Sequence, residues 1–267
     1  MNHFGLSDVG TVRDHNEDCY NIIELADNAI LAIVCDGMGG LSCGEVASRL
    51  AADTFIETVQ RICALQIKDN SLSLSDREAY LVLSNAATRA NTAVVEYREQ
   101  HPELGEMGTT LVAAILCEHA NSISISWVNV GDSRIYTVDD RDILQVSRDH
   151  SYLQYMIDTG EITPEEAAHC KKNGIITRAI GIDTEVDPDI DTFVLSREEC
   201  EHTHVYLCSD GFSGALPEAY CMETINDVSR AVNEKAEQLV AAARENDGSD
   251  NITLILIDLK GDGNGKL

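Results

Sequence analysis

The stretch that most constrains this chain is Ala29-Ile-Leu-Ala-Ile-Val-Cys-Asp36-Gly37-Met38-Gly39-Gly40. Its seven consecutive apolar residues, Ala29 to Cys35, read as a buried strand. The run then stops on a carboxylate and on three glycines within four positions. A charge at the mouth of a buried strand is costly unless something pairs with it or coordinates it. Glycines let the backbone bend sharply and approach a bound ion, so the Gly37 carbonyl is itself a candidate ligand. Taken alone, the same residues also fit a plain turn in which Asp36 caps the following helix.

Later segments repeat the pattern. Ser122–Val130 alternates polar and apolar residues, as a half-buried strand does, and leads into Gly131-Asp132-Ser133-Arg134. His204–Cys208 leads into Ser209-Asp210-Gly211, and Asp250-Asn251 precedes the apolar run Ile252 to Ile257. Asp36, Asp132, Asp210 and Asp250 therefore all stand at or beside strand ends, next to Gly or Ser. Carboxylates gathered in low dielectric repel one another, and a hard divalent cation removes the conflict. Oxygen ligands of this kind suit magnesium or manganese, with waters completing an octahedron. An Asp bridging two ions about 3.5–4 Å apart gives the two-metal arrangement used for phosphoryl displacement. No Cys or His stands with these residues, so zinc is not expected. No Ser-His-Asp or Cys-His arrangement competes as a nucleophile, and no Gly-x-x-x-x-Gly-Lys loop is present. For Asp132 a second reading stays open, a turn ion pair with Arg134.

Charge narrows the partners. With 19 Lys and Arg against 46 Asp and Glu, the net charge is −27. So acidic a surface repels phosphate backbones and anionic lipid, which argues against nucleic-acid and membrane-surface binding. No apolar run approaches the roughly 18 residues that span a bilayer. Met1-Asn-His-Phe lacks the basic start and apolar core of a signal peptide. The nine cysteines contain no Cys-x-x-Cys pair, and Cys35, Cys117 and Cys208 lie in apolar runs, as reduced core residues do. A cytoplasmic protein is expected.

The remaining chain frames these sites. Residues 2–25 read as strand, polar turn and strand, with Arg13, His15, Asn16, Glu17 and Asp18 in or beside the turn. Amphipathic helices are expected from Gly44 to Val59 and from Asp76, as N-cap, to Glu99, with no chemistry assigned to either. Gly108–Cys117 and Ile135–Val138 are strands, and Asp139–Asp142 is a hairpin turn into Ile143–Val146. Short turns between successive strands point to antiparallel sheets. Residues 147–180 break the rhythm with short helical pieces at Ser151–Asp158 and Pro164–Cys170, the second started by Thr163, and form a candidate lid. His150 and His169 in this segment read as solvated or locally bonded. Asp191–Leu195 is a further strand, Pro217–Ser229 and Ala231–Asn246 are helices, and 261–267 is a flexible tail. Asp262 and Asn264 lack the bidentate Glu of a calcium loop.

The ordered motifs Ser7-Asp-Val-Gly-x-Val-Arg13-x-x-Asn16-Glu17-Asp18, Asp36-Gly-Met-Gly-Gly, Gly108-Thr-Thr, Gly131-Asp132-Ser-Arg-x-Tyr, Ile176-Thr-Arg-Ala-Ile-Gly181, Ser209-Asp-Gly and Asp250-Asn-Ile-Thr span Ser7 to about Ile257. Together they resemble the metal-dependent serine/threonine protein phosphatases of the protein phosphatase 2C type, especially the small bacterial ones. The resemblance implies an α+β fold: a two-sheet antiparallel β-sandwich flanked by helix pairs, one domain over 1–260 with a flap at 147–180. It implies that Asp36 bridges two tightly bound Mn2+ or Mg2+ ions, with the Gly37 carbonyl on one and Asp210 and Asp250 on the other. Glu17 and Asp18 would hold metal-bound waters, with Asn251 supporting them. Arg13 would grip the substrate phosphate, and Asp132 with Asp210 would hold a third, weaker ion. The nucleophile would be a metal-bridging hydroxide. The resemblance departs at Met38, where eukaryotic relatives place a general-acid His, and at Leu41, where many bacterial relatives carry a His or polar residue. The expected substrates are phosphoproteins, with a serine/threonine kinase and its targets as partners and a monomer as the working form. A non-catalytic or regulatory member that binds partners through the flap, and a two-metal nuclease or nucleotidase disfavoured by the charge, are the competing readings.

Overall fold

The computed structural model describes residues 1–39, 43–167 and 174–260. Leu41, His169, Cys170 and the 261–267 tail with Asp262 and Asn264 lie outside the described residues. The chain opens with β1 (Asn2–Asp8), β2 (Asp18–Ala26) and β3 (Ala29–Gly39), followed by α1 (Cys43–Cys63) and α2 (Asp76–Gln100). Then come β4 (Met107–Thr109), β5 (Leu111–Glu118), β6 (Ser122–Val130), β7 (Arg134–Val138) and β8 (Ile143–Gln145). Two short helices, α3 (Tyr152–Asp158) and α4 (Pro164–Ala167), occupy the described part of the 147–180 segment. The rest is β9 (Asp189–Ser196), α5 (Arg197–Cys200), β10 (His204–Cys208), α6 (Asp210–Ser213), α7 (Glu218–Ile225), α8 (Val232–Asn246) and β11 (Ile252–Asp258).

One sheet runs β1-β11-β10-β7-β8 and the other β2-β3-β5-β6-β9, with β4 paired to the far end of β3. All pairings are antiparallel. The two-residue side-chain period explains why β3 is apolar throughout. Leu31, Ile33 and Cys35 face a core under α1 and α2. Ile30, Ala32 and Val34 face the layer between the sheets. β11 divides likewise: Ile252, Leu254 and Leu256 pack under α7 and α8, and Ile255 and Ile257 fill the inter-sheet layer. The result is the expected helix–sheet–sheet–helix sandwich.

The same period places the chemistry. Asp36 shares the face of Ile30, Ala32 and Val34, and Asp18 shares that of Tyr20 and Ile22, so both point to the inter-sheet layer at its open end. Ser209 follows Val205 and Leu207 on that face of β10, and Thr253 precedes Ile255 and Ile257 on β11.

Several local expectations change. The N-cap of α2 is Ser75, whose hydroxyl accepts the Glu78 N–H while the Glu78 carboxylate accepts the Ser75 N–H, so Asp76 is already helical. β3 does not end at Asp36 but continues to Gly39, because β4 supplies a partner there. The Gly108–Cys117 strand is interrupted at Thr110, whose backbone and hydroxyl both clasp Asp36. The helix expected over 217–229 is shorter, Glu218–Ile225. Thr163 does start α4, through reciprocal bonds with Glu166.

Candidate metal centre

Asp36 is held from behind. Its N–H donates to Thr110 Oγ1 at 2.9 Å, and its carbonyl accepts the Thr110 N–H at 2.8 Å and the Thr109 hydroxyl at 2.8 Å. Thr110 Oγ1 also meets Ser133 Oγ at 2.7 Å, which ties Asp36 to the turn carrying Asp132. Across the layer, the Asp36 and Asp210 side chains are in hydrogen-bonding contact. Burial, then the neighbouring Asp18, Asp210 and Asp132, pushes the Asp36 carboxyl well above the usual range. Asp210 is also pushed up, by burial and then by Asp250. All four motif carboxylates, Asp36, Asp132, Asp210 and Asp250, thus gather at one mouth with Asp18.

Asp18 directly opposes Asp36 in the β2–β3 ladder. Its Oδ2 accepts the hydroxyls of Ser209 at 2.8 Å and Thr253 at 2.6 Å. Ser7 Oγ meets Thr253 Oγ1 at 2.7 Å, and the Asn16 amide donates to Ser7. Asp18 Oδ1 is buried with no hydrogen-bond partner. Burial raises the Asp18 carboxyl to about 6, against the pull of the two hydroxyls. An orphaned carboxylate oxygen in a group that other carboxylates, Asp210 and Asp250, act on fits a cation or its water.

Glu17 reaches the same region from the loop before β2. Its N–H donates to Asn251 Oδ1 at 2.8 Å, and its carbonyl accepts the Gly37 N–H at 3.1 Å and the Ser48 hydroxyl at 2.6 Å. Its carboxyl accepts the Gly44 N–H at the start of α1. A Cβ on Gly37 would strike the Gly44 carbonyl, and one on Gly44 would lie 2.7 Å from Glu17 Oε2, so both glycines are needed for this close approach. Helix α1 therefore contributes to the site, contrary to its reading as pure scaffold. Asn251 does more than sit beside Asp250: its amide donates to Val9 O at 2.9 Å and His15 O at 3.0 Å, which fixes the whole 9–17 loop.

Arg13 NH2 donates to Asp250 Oδ2 at 2.7 Å, and the pair is solvent-accessible. Asp132 is buried and raised to about 7, by burial first and then by Asp210 and Asp149. The alternative pair with Arg134 does not form, since Arg134 makes a forked contact with Asp149 at 2.6–3.1 Å and also donates to Tyr136. Asp132 and Asp210 floor a cleft of about 730 Å3 whose far wall includes Leu153 and Ile157 of α3 and Pro164 and Ala167 of α4. Met38 lies on β3 opposite Gly108.

Among the described residues, no three His, Cys, Asp or Glu side chains close on one point. Magnesium-like ions take one or two carboxylates plus waters, so the donors here suffice. The oxygen-only donor set, the orphaned Asp18 oxygen and the Asp36–Asp210 contact all fit hard divalent cations. The residues that sequence motifs alone did not assign are hydroxyls: Thr110, Ser133, Ser209 and Thr253. Their signal was visible as Thr or Ser next to a motif Asp, or in the middle of an apolar strand.

The four-layer sandwich with an acidic, hydroxyl-lined mouth defines a class of cation-dependent hydrolase folds. Residues 11–246 match the protein phosphatase 2C family, and the chain belongs to that family. It is 35% identical over 252 residues to the serine/threonine phosphatase Stp of Listeria welshimeri, covering 94% of this chain and 93% of the relative. The crystal structure of serine/threonine phosphatase Stp1 from Staphylococcus aureus superposes with TM-score 0.81 at 31% identity, over 97% of this chain and 95% of that one. The catalytic domain of the phosphatase PstP, solved in complex with two manganese ions, gives TM-score 0.74 at 30% identity over 96% and 97% of the two chains.

Proposed function

We propose that this chain is a metal-dependent protein serine/threonine phosphatase that removes phosphate from phosphoserine and phosphothreonine in phosphoproteins. The observation that carries the reading is the contact of Asp36 and Asp210, brought from opposite sheets, beside the buried unpartnered oxygen of Asp18. Two ions, Mn2+ or Mg2+, would be held by Asp36 and the Gly37 carbonyl, and by Asp36, Asp210 and Asp250. When bound, such ions neutralise phosphoryl charge and activate water. Glu17, fixed by Asn251 and Ser48, and Asp18, fixed by Ser209 and Thr253, orient water toward the phosphorus. Arg13 swings from Asp250 to the phosphate oxygens, a forked contact suited to guanidinium. A third, weaker ion would sit between Asp132 and Asp210. Met38 has no proton to give, so a water held at the centre would have to protonate the departing serine or threonine oxygen, or that oxygen leaves less assisted.

The single domain spans 1–260, and the 147–180 segment, whose described residues Leu153, Ile157, Pro164 and Ala167 line the cleft with Asp132 and Asp210, acts as a flap that selects substrates. Seven of the described cysteines, Cys19, Cys35, Cys63, Cys117, Cys200, Cys208 and Cys221, are free thiols, which supports a reducing, cytoplasmic setting. Among the described residues no helix is long and apolar enough to cross a membrane. A serine/threonine kinase and its targets are the partners this activity requires, and the working form is a monomer.

The test is turnover of p-nitrophenyl phosphate and a phosphothreonine peptide with manganese or magnesium, beside a single-stranded oligonucleotide. The expected result is hydrolysis of the first two only, abolished by EDTA and restored by manganese. Full activity after EDTA and exhaustive dialysis would overturn the reading.

A further inference from the structure

Each sheet ends in an open strand on the same side of the sandwich: β8 in one and β9 in the other. Between them lies a groove of about 610 Å3 that the metal centre does not use. Its apolar part comes from Trp127, Leu144, Phe193 and Leu195. Leu144 is 61% exposed, unusual for a leucine on a strand. The period of β9 brings Asp191, Phe193 and Leu195 to one face, and Asp191 is the ladder partner of Trp127.

The rim is acidic. Asp139, Asp142, Asp191 and Glu199 border the groove, and among the described residues no Lys or Arg lines it. An adjoining hollow shares Asp139 and Glu199 and adds Asp140 and Glu198, against Arg141 and His202. The rim carboxylates spend themselves on nearby backbone: Asp139 on the Arg141 and Asp142 amides, Asp142 on Ile143, Asp191 on Thr192. Their charge therefore stays available to a visitor. Such a surface selects a cationic partner with apolar anchors, because rim charge steers and apolar floor holds.

The groove also communicates with the catalytic cleft. Gln145 lines it, and the Gln145 amide donates to Asp149 Oδ1 at 2.8 Å. Asp149 is the residue that holds Arg134, and both line the cleft beside Asp132. A polypeptide lying along the groove would thus continue toward the phosphate site.

We propose that this groove docks a basic segment with apolar anchors, carried by the phosphoprotein substrate away from its phosphorylated residue. The docking assignment rests on the phosphatase reading above, and the geometry also offers a readout independent of turnover. Trp127 is the sole tryptophan of the chain and forms part of the groove floor. Its emission reports occupancy when the peptide carries Leu and Phe anchors rather than Trp.

The experiment titrates an unphosphorylated Lys/Arg-rich peptide with Leu and Phe anchors, and an acidic peptide with the same anchors, into the wild-type protein and the double variant Asp142→Lys/Asp191→Lys. The basic peptide should shift Trp127 emission saturably, weaken with added salt, and bind the variant at least tenfold more weakly. The acidic peptide should produce no shift. Leu144→Gln, a neutral change at an exposed position that leaves the rim charge intact, should also weaken binding. A phosphothreonine peptide extended by the basic segment should show a lower KM than the bare peptide in wild type only, with p-nitrophenyl phosphate turnover equal in wild type and double variant. Equal binding of basic and acidic peptides, or unchanged binding in both variants, would overturn the docking site. Loss of p-nitrophenyl phosphate turnover in wild type, with the emission shift intact, would instead strike the phosphatase reading.

Discussion

Asp18 and Asp132 are equally hidden, at 8% exposure each, but the protein treats them differently. Asp18 receives two buried hydroxyls, from Ser209 and Thr253, and its carboxyl rises to about 6. Asp132 has its own backbone N–H and a nearby arginine already committed to Asp149, and its carboxyl rises to about 7. Burial is the leading cause in both, so the difference lies in what compensates it. One side of the mouth is built to hold a carboxylate in a single orientation. The other leaves its carboxylate to whatever cation the cleft admits. A tight and a loose half of one site follow from that contrast.

The largest expected effect removes the residues that join the halves. Asp36→Asn or Asp210→Asn should lower kcat at least about a hundredfold, because the metal-assisted term of several kcal/mol is lost. Steady-state kinetics at saturating manganese measures this. Near-normal turnover in either variant would mean that the two halves do not share a centre.

Next comes the tight half. Thr253→Val or Ser209→Ala leaves Asp18 buried with one hydroxyl fewer, which should cost about 1–3 kcal/mol of stability. Manganese should recover part of that loss by binding the folded state alone. Denaturant melts with and without manganese provide the check. A loss that manganese leaves unchanged would detach Asp18 from the cation site.

The loose half should respond in the opposite way. Asp132→Ala removes a poorly compensated buried charge, so stability should hold or rise. The manganese concentration for half-maximal activity should increase on the order of tenfold, as for other weakened metal sites. Calorimetry should count one fewer weak site. Equal stoichiometry and equal metal dependence in variant and wild type would remove the third ion.

How much of this contrast was legible beforehand depends on its physical source. β3 announced itself because both of its faces are buried, and the position of Asp210 just past β10 followed from an apolar run that stops before Ser-Asp-Gly, whereas β3 runs on through Asp36 to Gly39. The pairing of Asp18 with Asp36 was not legible, since it depends on the register of β2 against β3. Nor was the role of Thr110, which interrupts a strand that propensity alone would continue. The Arg134 alternative for Asp132 failed for the same kind of reason: Asp149 lies fifteen residues away in sequence yet offers a forked acceptor. Hydroxyls read as ordinary strand residues until the sheets are stacked and their side chains meet in the inter-sheet layer. The short helix α6 was missed because Ser209-Asp210-Gly211 reads equally as a turn.

The smallest effect extends the comparison to the other end of β10, the strand that leads into Asp210. His204 opens that strand, and both its ring nitrogens are buried without hydrogen-bond partners. Burial lowers its pKa to about 4, a shift that nearby Asp258 and Asp140 oppose and Lys235 reinforces. Like Asp132 it is a poorly compensated ionisable group, but its neutral form is the one the fold accepts. In the unfolded chain the ring takes up a proton near its ordinary value of about 6.5. Between that value and about 4 the unfolded state therefore binds more protons than the folded one, and stability falls as pH falls. From roughly pH 7 to roughly pH 5.5 the loss should be about 1 kcal/mol. His204→Leu should remove that component, and the informative quantity is the difference between wild-type and variant melts at the two pH values, since carboxylates elsewhere titrate in both. Parallel pH profiles would show that His204 takes up its proton equally in the folded and unfolded protein, and a wild type that gains on the variant as pH falls would show an imidazolium held in the fold by Asp258, 3.9 Å away.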